Sequence, residues 1–119
     1  MTAMMKGLAN GLIFLGLLGL SCARADGLDA GLAAIDRMSE LNGVALACRF
    51  DDQMRRIKQA LIDNLPKQRV LGARFEEGTN AAFMRFVNAG RPCPSPAQFE
   101  SEVGLAVEQL RQAYAQAGD

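Results

Sequence analysis

The apolar positions of this chain form one unbroken run near the start and, after it, four stretches at helical spacing. No strand-like alternation competes with the helical period in those stretches. In the first, about Leu28 to Ala47, Leu28, Leu32, Ile35, Met38 and Leu41 with Leu46 line one stripe, and Asp29, Asp36, Arg37 and Glu40 take the other side. The second, about Asp51 to Asn64, opens on two aspartates that suit a helix N-terminus. Met54, Ile57 and Leu61 follow on its apolar side, Asp51/Arg55 and Asp52/Arg56 are spaced as i,i+4 pairs, and Pro66 stops it. The third, about Gln68 to Asn88, carries Leu71, Phe75, Ala82 and Phe86 with Val70, Phe83 and Val87 beside them, and Asn88-Ala89-Gly90 ends it. The fourth has the clearest start in the chain. Ser95 is an N-cap, Pro96 suits the first helical position and Gln98 completes a capping box. Phe99, Val103, Ala106, Leu110 and Tyr114 form its stripe.

The early run has a different meaning. Lys6 precedes an apolar stretch from Gly11 to Leu20, and Ser21-Cys22-Ala23-Arg24-Ala25 ends in the small-x-small pattern of a signal-peptidase site. Residues 1–25 therefore read as a cleaved secretory signal peptide and 26–119 as a single mature helical domain. A retained anchor fits less well, because spanning a bilayer takes about 20 consecutive apolar residues and this run is near half of that. Lipidation at Cys22 fits less well too, since Gly19 stands where a bulky aliphatic is expected. The expected address is periplasmic or secreted, with membrane contact at most peripheral after cleavage.

Cleavage changes the cysteine arithmetic. Of three cysteines, Cys48 and Cys93 remain, and an even count in a short exported chain reads as a disulfide. Four amphipathic helices with short connections predict an all-α fold, a small antiparallel four-helix bundle of up-and-down type. That topology puts the loops holding Cys48 and Cys93 at the same end, so bridge and bundle support each other. Gly43, Gly72, Gly78 and Gly104 fall inside helical stretches, where close packing between helices is the usual compensation for their cost.

Catalytic parts are few. The chain has no histidine, which removes Ser-His, Cys-His and His-ligated metal sites. The adjacent carboxylates Asp51-Asp52 and Glu76-Glu77 point about 100° apart on a helix and do not converge on one bond. No phosphate-cradling glycine motif is present, so neither an enzyme nor a cofactor is expected.

Charge is uneven along the chain. Without Lys6 and Arg24, 11 basic side chains face 13 acidic ones, a balance that excludes a general nucleic-acid binder. Residues 49–74 nevertheless hold seven basic side chains against three acids. Arg55, Arg56, Lys58, Lys67, Arg69 and Arg74 form a candidate patch for an anionic partner. The short, polar second helix is expected to be the least tightly held element. On the third helix Met84 and Val87 depart from the main stripe, and with Phe83 they make a candidate apolar interface.

In outline, a small exported helical domain clipped by one disulfide resembles the periplasmic acid-stress chaperones. The likeness is one of architecture, without a shared motif around Ala47-Cys48-Arg49-Phe50 or Pro92-Cys93-Pro94-Ser95. It implies a bundle that loosens near pH 3, when carboxylates lose their charge. Small exported immunity proteins share the same outline. The expected function is a non-enzymatic protein-interaction module of the cell envelope (a chaperone, an inhibitor or an accessory subunit) whose partner is another envelope or exported protein. The alternative is a module that binds a lipid or other small ligand.

Overall fold

The computed structural model describes residues 27–117, so the expected signal peptide of residues 1–25 lies outside the described residues. Within them the chain is all-helical, with four helices and no strand. These are α1 (27–48), α2 (Asp51–Asn64), α3 (Arg69–Ala89) and α4 (Pro96–Ala117).

Each boundary has a local cause. Arg49 ends α1 in the left-handed region (φ 58°), and the Phe50 N–H reaches back to the Ala45 carbonyl at 2.9 Å. That bond spans a Schellman-type turn, with arginine where glycine is usual. Leu65 ends α2 in extended conformation (ψ 143°), as the residue before a proline must. Gly90 closes α3 in the left-handed region (φ 63°), donating to the Val87 carbonyl at 3.1 Å. Ser95 caps α4, its Oγ accepting from the Gln98 backbone N–H at 3.2 Å.

The core draws on all four helices. Ile35, Met38 and Leu41 of α1 meet Ile57 and Leu61 of α2, Leu71 and Phe75 of α3, and Phe99, Val103 and Leu110 of α4. Phe50, in the α1–α2 turn, sets its ring 5.0 Å from that of Phe99, which ties the turn to the start of α4.

Two apolar expectations change. Leu28 is 75% exposed and Leu46 is 42% exposed, so the stripe of α1 runs instead through Ala34, Ile35, Met38, Leu41 and Ala45. Leu28 stands in the first turn of α1 and Leu46 in its last, so both lie at the ends of the helix. Val70 on α3 is exposed as well.

α2 runs close to α4, whereas α3 makes no close backbone approach to either of them. Arg56 explains part of the α2–α4 contact. Its guanidinium donates to the Glu100 carbonyl at 3.3 Å and lies 3.3 Å from the place a Cβ on Gly104 would take. Drawn across to α4, Arg56 does not pair with Asp52, which bonds Arg55 one turn away instead of forming the i,i+4 pair expected.

Candidate interaction surface

What holds α3 is a seam of small and polar residues along α1. A Cβ on Gly43 would stand 2.7 Å from both the Ala82 Cβ and the Phe83 backbone nitrogen, and one on Gly78 would stand 2.7 Å from the Ser39 Cβ. The two helices therefore meet almost backbone to backbone at these points. The Ser39 hydroxyl is shared between the carbonyls of Ile35, 3.0 Å away, and Phe75, 3.2 Å away. One turn on, the Asn42 amide donates to the Thr79 hydroxyl at 3.3 Å, while its own Oδ1 is buried without a protein partner. Outside the seam Arg74 grips Asp36 with two bonds of 2.8 Å, a bidentate ion pair. That contact holds the Asp36 carboxyl below its ordinary pKa and the Arg74 guanidinium above its own.

The close approach explains the glycines that the helical pattern left unaccounted for. It holds at Gly43 and Gly78, but Gly72 has nothing within 4 Å. Ser39, Asn42 and Thr79 were not singled out in the sequence. The signal was present in the spacing Ser39-x-x-Asn42-Gly43 against Gly78-Thr79-x-x-Ala82, small or polar groups recurring at helical intervals.

With its inner side on α1, α3 turns Met84 (53% exposed) and Val87 (51% exposed) outward, beside a half-buried Phe83. Leu46 stands one turn beyond Gly43 on the side of α1 that faces α3. It extends the same apolar patch. Elsewhere α1, α3, the loop 91–94 and α4 enclose a groove of about 520 Å³. Leu41, Val44, Phe86 and Phe99 line its apolar part, and charged side chains of both signs, Arg37, Arg85 and Arg91 with Glu40 and Glu102, line the rest.

The disulfide closes this end of the molecule. Cys48, at the end of α1, is bonded to Cys93, just ahead of α4, with Cα atoms 5.8 Å apart. The bridge fixes the segment that leads out of α3, so the exposed part of α3 is anchored on both sides.

Three of the six basic residues read as an anionic-partner patch have partners within the fold. Arg74 is engaged by Asp36 of α1, Arg55 by Asp52, and Arg56 by the α4 backbone. Lys58, Lys67 and Arg69 are exposed. Among the described residues no three His, Cys, Asp or Glu side chains are grouped to hold a metal ion, and no helix is long and apolar enough to cross a membrane.

Comparison of the chain with protein-family models, with curated proteins and with solved structures finds no match. Function is therefore argued from the residues themselves.

Proposed function

We propose that this chain is an exported interaction protein of the cell envelope, with no enzymatic role and no cofactor, that binds another protein through the outer face of α3. The observation that carries the reading is the outward apolar face of α3, Met84 and Val87 with half-buried Phe83 beside them. Contiguous exposed apolar surface rimmed by charge is the usual composition of a protein-binding site. Chaperone, inhibitor and accessory subunit all use such a surface.

Export rests on the leader pattern of residues 1–25 and is compatible with the Cys48–Cys93 bridge, which needs an oxidising compartment. The up-and-down, antiparallel reading of the bundle has support from its contacts. Residues 36, 39, 42 and 43 of α1 meet 74, 75, 79 and 82 of α3 in ascending order. α1 and α4 meet in the reverse sense, Gly31 against Tyr114 and Cys48 against Cys93.

Affinity capture from an envelope fraction tests the proposal. The wild-type protein should retain a partner in stoichiometric amount, and Met84→Glu with Val87→Glu should lose it while melting at the same temperature. Retention of that partner by the double variant would place binding elsewhere, and a wild-type protein that retains nothing would count against the proposal as a whole.

A further inference from the structure

A second hollow, of about 590 Å³, lies at the opposite end of α1 from Cys48. Its apolar walls are Leu28 and Leu32 of α1, Leu65 and Pro66 of the α2–α3 turn, and Leu71 of α3, with Tyr114 of α4 closing one side. Gly31 makes the wall that Tyr114 forms. A Cβ there would stand 3.2 Å from the tyrosine Cζ and Oη, so the glycine lets the ring lie against the α1 backbone. Leu28 would otherwise be an unexplained exposed leucine; here it is one lip of an apolar hollow.

The polar groups in the lining are few and neutral: the Tyr114 hydroxyl and the amides of Asn64 and Gln68. The Asn64 amide nitrogen donates to the Ala60 carbonyl at 2.8 Å, so its oxygen remains to accept from a ligand. Among the described residues no charged side chain lines the hollow. The nearby cation, Arg74, is held by Asp36. Mostly apolar walls, a handful of polar atoms and a volume of this order are what small-molecule sites have in common.

We infer that this hollow binds a small neutral amphiphile, an alkyl or aromatic body carrying one hydroxyl or amide that pairs with Tyr114 and Asn64. An anionic lipid or fatty acid finds no cation among the described lining residues. This capacity is separate from protein binding by α3, and neither depends on the other.

Titration of the ¹⁵N-labelled protein with 1-hexanol, 1-octanol, octanoate and octylamine tests it. Saturable amide shifts should appear at Leu28, Leu32, Leu65, Leu71 and Tyr114. Binding should tighten by up to about fourfold for each methylene added between hexanol and octanol. Octanoate and octylamine should bind at least about tenfold more weakly than octanol at neutral pH, because either charge would enter an uncharged site. Leu28→Gln, at an exposed position, should weaken octanol without changing the melting temperature, and Tyr114→Phe should narrow the preference for octanol over octanoate. Shifts confined to the groove beside Cys93, octanoate binding as well as octanol, or unchanged octanol binding in both variants would each overturn the inference. Met84→Glu with Val87→Glu should leave the octanol titration unaltered, so failure here and failure of the α3 surface are told apart.

Discussion

Arg49 holds a left-handed backbone that L-residues with a Cβ pay for, about 1–2 kcal/mol by steric estimates. Arg49→Gly should therefore stabilise the fold, by roughly 0.5–1 kcal/mol once the greater freedom of an unfolded glycine is counted. A urea midpoint that rises at unchanged slope would show it. The interior glycines divide on the same kind of reasoning. Gly72→Ala should gain up to about 1 kcal/mol of helix propensity, since a methyl there meets nothing within 4 Å. Gly43→Ala should lose about 1–3 kcal/mol, because its Cβ would meet the Phe83 backbone nitrogen at 2.7 Å and backbone cannot move aside cheaply. Equal midpoints for the two alanine variants would remove the close seam between α1 and α3.

α3 departs most from what its sequence suggests. The start and stop signals of the helices were legible, because Ser95, Pro66 and Gly90 act locally through a cap, a ring and a permitted φ. The core face of α4 was legible too, since Phe99, Val103, Ala106 and Leu110 recur at steady helical spacing and are all buried. Partnering between helices was not, because it depends on where small residues from distant segments meet. Apolar periodicity cannot show that Gly43 faces Ala82 or that Ser39 reaches the Phe75 carbonyl. The Asp36–Arg74 pair has the same origin, as the two are 38 positions apart in sequence and become partners only when α3 docks.

That ion pair gives the seam a pH dependence. Hydrogen bonding to Arg74 lowers the Asp36 pKa in the folded state, so its stabilising contribution is present above the unfolded carboxylate value near 4 and is lost as pH falls through the lower folded value. Both side chains are about half exposed, so solvent screening keeps the contribution to a small amount. Asp36→Asn should lower stability at pH 7 by that amount and leave it little changed near pH 2. Chemical denaturation at the two pH values measures the difference, and an equal loss at both would show that the pair contributes nothing through charge.

Over the whole molecule, α1 is the common support, with apolar packing toward α2 and α4 and a polar, close-packed seam toward α3. The disulfide completes the support at the α3 exit. Closing a loop between positions 45 apart in sequence stabilises by roughly 4 kcal/mol in the chain-entropy account. Replacing both Cys48 and Cys93 by serine should cost a large part of that in a denaturation experiment. Loss of partner capture at temperatures where the reduced fold still holds would tie the bridge to the α3 surface as well as to stability. A photo-crosslinking residue placed in turn at Met84, Val87, Ile62 and Leu105 compares these exposed apolar positions at once. The account predicts one shared adduct from the two α3 positions and none of that adduct from Ile62 on α2 or Leu105 on α4; the same adduct from all four positions, or from the α2 and α4 positions alone, would contradict it.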